Sequence, residues 1–298
     1  MSDTLASLSR KISGAGDLET VVRSMKALAA ANIGQYERSV LALADYNRTV
    51  ELGLAVCLRK QRSVLSDQNV QNPPATKTLN AIVFGSDQGL VGQFNEVLSD
   101  FVVKTLKSLP GEKKVWAVGE RVHSRLGDAG LSPRGLFAVP NSVNAINSLV
   151  GQILIETEKY LNKGELGQLY IFHNGPKSGA TYQAVIQHLL PLDEQWVQRM
   201  SQHPWPTKNL PEVIGHHEQT LSALVREYLF VSLFKACAES LASENASRLA
   251  AMQRAEKNID EMMEVLNQTF RRLRQTSIDE ELFDVISGYV SLSKEKVI

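Results

Sequence analysis

The last eighty residues constrain this chain more than any other stretch. From His216 to Ile298 there is no proline, and the only glycine is Gly288. Apolar residues recur at gaps of three and four: Leu221, Leu224, Tyr228, Val231, then Leu249, Met252, Ile259, Met262, Leu266, Phe270, Leu273, Ile278, Leu282, Val285, Tyr289 and Leu292. This is a helix-period stripe, and it is far longer than an ordinary globular helix. Eighty helical residues would span roughly 120 Å at the rise of an α-helix. Such a helix must bury its stripe against something, and the other end of the chain is the obvious partner.

Residues 4 to about 60 carry a second helical pattern. Leu5, Leu8, Ile12, Ala15, Leu18, Val22 and Met25 step by three and four, and Ala29, Ile33, Tyr36, Val40, Leu43, Val50, Leu54 and Leu58 continue the stripe. Gly14 and Gly16 interrupt it. Glycine costs a helix roughly 1 kcal/mol, so these two are expected to mark a bend or a packing contact. A polar linker is expected from Ser63 to Thr76.

The middle of the chain changes character. Leu79–Phe84 is a short apolar run closed by Gly85, which reads as a buried strand. Phe94–Leu109 is helical and stops at Pro110-Gly111. Lys114–Val118 is a second strand, followed by a short helix to about Ala129. Gly135–Val139 is a third strand, and Asn141–Leu161 is helical with Asn141 or Ser142 as cap. Gln168–Phe172 is a strand closed by Asn174-Gly175-Pro176, and Thr181–Leu189 an antiparallel edge strand. Residues 193–211 carry Pro204, Pro206 and Pro211 and should be irregular. Strands alternating with helices imply a small Rossmann-like α/β sheet with helices on its faces. The expected layout is an N-terminal coiled-coil helix over residues 1–62, a central α/β domain with linkers over 63–211, and a C-terminal coiled-coil helix over 212–298. The central domain returns the chain, so the two long helices should form an antiparallel shaft.

Composition narrows the function. Lys+Arg and Asp+Glu both count 32, and a neutral chain lacks the basic footprint of a nucleic-acid binder. No apolar run is long enough to span a membrane, and the N-terminus lacks the apolar core of a signal peptide. Only Cys57 and Cys237 are present, which fits a reducing cytoplasm and two buried thiols.

The most enzyme-like stretch is Gly85-Ser86-Asp87-Gln88-Gly89-Leu90-Val91-Gly92-Gln93-Phe94-Asn95, between a strand and a helix. Backbone N–H groups at such a place can hold a phosphate. The glycine spacing is not the dinucleotide fingerprint, and no P-loop lysine follows. A tight structural turn built on Asp87, Gly89 and Gly92 is the expectation. His216-His217-Glu218 opens a helix, where neighbours do not face one site, so no metal or other cofactor is expected. Asp279, Glu280, Glu281 and Asp284 form an acidic patch with no pocket, which suits a solvated or partner-facing surface. Arg271, Arg272 and Arg274 cluster just before it, and an arginine fork suits a partner carboxylate. The residues thus describe an elongated mechanical or interaction protein. A nucleotide-binding α/β enzyme with a coiled-coil arm and a coiled-coil scaffold remain as alternatives.

Both ends also carry specific motifs. Thr20–Ile33, TVVRSMKALAAANI, resembles the N-terminal helix of the γ subunit of F-type ATP synthases through Met25, Lys26, Ala29 and Ala30. GSDQGLVGQFN is similar to that family's Thr-Asp-Arg-Gly-Leu-Cys-Gly-Gly-Leu-Asn through Asp87, Gly89, Leu90, Gly92 and Asn95. Glu239–Asp260 resembles its C-terminal helix through Ala242, Ser243, Glu244, Ala246, Arg248, Ala251, Met252, Ala255 and Asn258. Arg274–Gly288 resembles its signature Arg-Gln-x-x-Ile-Thr-x-Glu-Leu. Asp279 stands for the signature threonine and Tyr289 for its alanine. Leu18-Glu19-Thr20-Val21-Val22 replaces Thr-x-Lys-Ile-Thr, and Gln88 and Val91 replace an arginine and a cysteine. These departures point to a divergent branch similar to the alternate N-type ATPases thought to pump sodium ions.

The resemblance implies a non-catalytic rotor stalk without cofactors. Its antiparallel helices stand in a ring of α and β subunits, and its α/β domain meets the ε subunit and the membrane ring of c subunits. It couples ion flow, of protons or sodium, to ATP synthesis or hydrolysis, and lies peripherally on the cytoplasmic face of a bacterial inner membrane. Met25, Lys26, Arg274, Gln275, Asp279 and Glu281 are the implied contacts with the β subunit, and Glu212 with the c ring.

Overall fold

A computed structural model of the chain describes residues 4–65, 78–162, 167–177, 180–192, 194–202, 205–209 and 211–295. Two compact units emerge, residues 1–28 with 249–298, and residues 29–248. Two long helices, α1 (Leu5–Leu65) and α6 (His217–Glu295), contribute to both. Thr4 caps the first, its Oγ1 accepting from Ser7 N at 3.2 Å. Glu218 lies in the first turn of the second, where the helix dipole favours a negative charge.

Among the described residues of the first unit, the buried side chains are Leu8 and Ala15 of α1 and Met252 and Ile259 of α6. Lys26 Nζ joins the helices by an ion pair to Glu256 Oε2 at 2.6 Å. Helix α1 runs through Gly14 and Gly16 without a break. A Cβ at either glycine would meet nothing within 4 Å, so packing does not demand them. The expected packing contact is therefore absent there.

In the second unit α1 and α6 run antiparallel. Asn32 bonds Asn245, Tyr46 OH donates to Glu227 Oε2, and Gly53 faces Leu224, so one numbering rises as the other falls. The same unit holds a five-stranded sheet in the order β3-β2-β1-β4-β5. Its strands are β1 (Thr78–Phe84), β2 (Glu112–Val118), β3 (Gly135–Phe137), β4 (Gln168–Lys177) and β5 (Ala180–Leu190). The first four are mutually parallel, and β5 pairs antiparallel with β4. Helices α2 (Phe94–Ser108), α3 (Glu120–Asp128) and α4 (Val143–Asn162) follow β1, β2 and β3.

Side chains alternate across a strand, and here both faces are buried. Leu79, Ala81 and Val83 of β1 pack with Leu98, Val102, Val122 and Leu126 of α2 and α3. Ile82 and Phe84 point the other way, into a core with Ile146, Val150 and Ile153 of α4, Leu54 of α1, and Phe234 and Leu241 of α6. Cys57 and Cys237 are both buried in this unit and are not joined by a disulfide.

Two expectations need correction. Strand β4 does not close at Asn174-Gly175-Pro176 but continues to Lys177. Pairing with β5 carries it on, and a register irregularity between Gly175 and Lys177 accommodates Pro176, which cannot donate to the ladder. Within 193–211, residues Glu194–Ser201 form a short helix, α5, that ends before the prolines begin. Of the expected linker, residues 66–76 lie outside the described residues.

Candidate functional site

The loop between β1 and α2 sits at the carboxyl ends of the parallel strands, where sheets of this kind place their ligands. A helix N-terminus is an anion site by virtue of its unpaired N–H groups. At the neighbouring N-terminus of α3, a side chain from this loop takes that place. Asp87 Oδ1 accepts from Glu120 N at 2.9 Å, and Oδ2 accepts from Val139 N at 2.9 Å. Glu120 is the first residue of α3, and Val139 follows β3. One carboxylate therefore bonds to the chain just beyond both β2 and β3, and a phosphate entering here would have to displace a like charge.

The neighbouring turn presses directly on this loop. Gly119, between β2 and α3, has φ 109°. A Cβ there would come within 2.8 Å of the Ser86 backbone, so only glycine fits. Arg121 N donates to Ser86 O at 3.0 Å. Inside the loop Asn95 makes a reciprocal pair: Ser86 N donates to its Oδ1, and its Nδ2 donates to Ser86 Oγ. Asn174 of β4 reaches in as well, donating to Phe94 O at 3.0 Å. Gly92 adopts φ 57°, and the exposed Leu90 adopts φ 62°. The nearest atom to a Cβ at Gly89 would be the Arg121 guanidinium at 3.7 Å, so neither space nor backbone demands glycine there.

Helix α6 backs this loop with polar residues that sequence reasoning missed as a site. Ser240, Ser243, Glu244, Asn245 and Ser247 are all buried. Glu244 Oε1 holds Arg248 Nη2 at 2.6 Å. Burial pushes the Glu244 carboxyl above the usual carboxylate range; Arg248 opposes that shift, and the Asp87 charge adds to it. Burial and then Glu244 likewise raise the Tyr36 hydroxyl and the Cys237 thiol, which keeps that thiol unreactive. A signal was available in the sequence. Ser240, Glu244 and Ser247 repeat at helical spacing within the Ala/Ser-rich stretch 236–247, but a polar stripe reads equally well as a solvated face.

The implied contact residues fall in three places. Met25 is half-buried on α1, and the neighbouring Lys26 is engaged with Glu256, whose carboxyl it holds below the usual range. Arg274, Gln275, Asp279 and Glu281 are all exposed on α6. Around the last two, Ile278, Leu282, Phe283, Val285, Ile286 and Tyr289 are also exposed, Phe283 at 70% and Tyr289 at 74%. At 100° per residue these apolar side chains occupy roughly half the circumference, with Asp279 among them between Ile286 and Phe283, and Glu280, Glu281 and Asp284 on the other half. Glu212 is exposed in the segment before α6, near Ile214 at 93% exposure.

No three His, Cys, Asp or Glu side chains among the described residues are placed to hold a metal ion. No helix among them is long and apolar enough to cross a membrane.

Comparison with known proteins gives a consistent result. A family model described as ATP synthase matches residues 4–292. The ATP synthase gamma chain of Nautilia profundicola is 24% identical over 304 residues, covering 98% of this chain and 99% of the relative. Among solved structures, the rotor of the Euglena gracilis mitochondrial ATP synthase in rotational state 1 superposes with a TM-score of 0.61 at 14% identity, covering 92% of this chain and 98% of the other. A chain of the OSCP/F1/c-ring assembly from the same organism gives 0.63 at 15% identity, covering 99% and 96%.

Proposed function

The chain belongs to the ATP synthase γ-chain family, and from that membership we propose that it turns as the central rotor stalk of an F-type ATP synthase. It catalyses nothing itself. It couples ion flow through a membrane ring to ATP synthesis or hydrolysis in a ring of α and β subunits. Its asymmetry biases each catalytic subunit between conformations as it turns, which is a population shift.

One observation carries this reading: the exposed apolar face of α6 between Ile278 and Tyr289. A soluble chain rarely exposes such a contiguous patch unless a partner covers it. The acidic side chains opposite suit a partner that must also let go, because exposed charge contacts are individually weak. Within this picture Arg274, Gln275, Asp279 and Glu281 face the β subunit from α6, and Met25 and Lys26 face it from α1. Glu212 meets the c ring. The ε subunit is the remaining partner of the α/β domain, and the whole chain sits peripherally on the cytoplasmic face of a bacterial inner membrane. The Asp87 carboxylate at the N-terminus of α3 disfavours a phosphate there, which supports a non-catalytic role over a nucleotide-using enzyme.

Co-expression tests the reading. The purified chain alone should not hydrolyse ATP, whereas its complex with the α and β subunits should. Turnover by the chain alone, or failure to assemble with those subunits, would overturn it. A cysteine at position 212 should cross-link to a c subunit, and capture of α or β alone would refute that placement.

A further inference from the structure

Hydroxyls within an α-helix commonly bond back to the carbonyl one turn earlier. In this chain the exposed Thr20, Ser24, Thr49, Thr220, Thr269 and Thr276 all bond that way. Ser240 and Ser247 of α6 do not. Ser240 Oγ donates to Phe84 O at 3.0 Å, and Ser247 Oγ donates to Val91 O at 2.5 Å. Each bond spans 156 residues of sequence. The two serines are therefore spaced along α6 as their acceptors are spaced along the chain. That spacing is two helical turns, so both hydroxyls lie on one face of α6. Glu244 occupies the same face between them. The acceptors bracket the β1–α2 loop, since Phe84 ends β1 and Val91 lies just before α2.

We propose that Ser240 and Ser247 are positioning residues that key α6 to the α/β body against rotation, so that torque passes through this pair. The proposal rests on the rotor reading above. Apolar packing alone is non-directional and resists slip only through shape. A hydrogen bond depends on both distance and angle. Turning α6 about its axis would carry both hydroxyls off their acceptors together and leave buried polar groups unpaired. The load does not end at the loop. Asp87 bonds to the chain beyond β2 and β3, Asn95 clasps Ser86, and Asn174 of β4 holds Phe94 O. A twist delivered by α6 at Phe84 and Val91 is thereby shared among β1, β2, β3 and β4.

The test uses the whole complex in lipid vesicles, with Ser240→Ala and Ser247→Ala combined. ATP hydrolysis and ATP-driven membrane potential are measured together, the latter with a potential-sensitive dye that responds to either ion. The expected result is hydrolysis retained and potential generated per ATP hydrolysed reduced several-fold. Ser247→Thr, which keeps the hydroxyl, should retain the wild-type ratio. An unchanged ratio in the assembled double variant would overturn the proposal. So would equal losses of hydrolysis and pumping, which would mark a packing defect alone. If the double variant does not assemble, each single alanine variant is read in the same way, and an unchanged ratio in both is equally fatal. Failure of the rotor reading itself would look different, because the wild-type chain would then support no pumping.

Discussion

Two stretches of one helix, Tyr228–Ser247 and Ile278–Tyr289, are each at least half apolar, yet their surroundings are opposite. In the first, Phe234, Cys237, Leu241 and even Glu244 and Ser247 are buried. In the second, every residue is exposed, Phe283 and Tyr289 included. Apolar content thus does not decide burial within one element. The first stretch has a sheet and a loop to pack against within its own chain. The second has no such surface among the described residues, and it is there that the proposed rotor would meet other chains.

The sharpest way to break this contrast is to truncate one aromatic ring in each stretch. Phe234→Ala should destabilise the chain by about 3–5 kcal/mol, because it leaves a cavity in a packed core. Phe283→Ala should change stability by less than about 0.5 kcal/mol, since its ring is already in solvent. Urea midpoints measure both, and equal losses would erase the distinction. In the assembled complex the order should reverse for function, with Phe283→Ala weakening association with the ring.

A smaller effect is expected at the loop that the first stretch backs. Asp87→Ala removes the acceptor of two backbone N–H groups and should cost about 1–3 kcal/mol. An unchanged urea midpoint would show that water satisfies those groups as well as the carboxylate does.

Smaller again are two pH effects of opposite sign. Burial raises the Glu244 carboxyl, so the folded state binds that proton more readily than the unfolded state. Its stabilising contribution is present below the unfolded value and lost as pH rises through the folded one. Glu256 is the reverse case: its bond with Lys26 lowers it. That contribution is present above the unfolded value and lost as pH falls through the folded one. Glu244→Gln should therefore flatten the decline on the neutral side of the ordinary carboxylate range, and Glu256→Gln the decline on its acid side. Stability measured across pH for both variants tests the signs, and a matching response would contradict the assigned causes.

The smallest expected effect on stability sharpens the functional side of the comparison. Arg274→Ala should leave the urea midpoint within about 0.5 kcal/mol of wild type, because an exposed arginine contributes little to folding. It should nonetheless lower ATP hydrolysis or its coupling in the assembled complex. Unchanged turnover and pumping would remove Arg274 from the contact with β.

Much of the fold was legible because its signals are local. The absence of proline and the spacing of apolar residues mark α1 and α6 without reference to anything else. Gly85, Pro110-Gly111 and Gly130 punctuate the central elements for the same reason. The failures occurred where a neighbour overrode the local signal. Pro176 ends a strand by itself, but pairing with β5 carries β4 past it. The prolines of 193–211 suggested irregular chain, yet Glu194–Ser201 precedes them and forms a helix. Glu281 and Glu244 look alike in sequence, and only one of them is buried.

The sequence by itself determined two long helices flanking an α/β sheet, and the resemblance of its motifs pointed to the family. Backbone propensity and hydrophobic periodicity act over a few residues, so they can be read along the chain. The tertiary structure alone decided what each polar side chain meets. Asp87 finds its donors 33 and 52 residues away, and Ser240 and Ser247 find their acceptors 156 residues away. Such bonds depend on the register of elements brought together by folding, and on angles that no spacing encodes. Burial of Ser247 and exposure of Phe283 follow from the same cause, because solvent exclusion belongs to the packed neighbours and not to the residue.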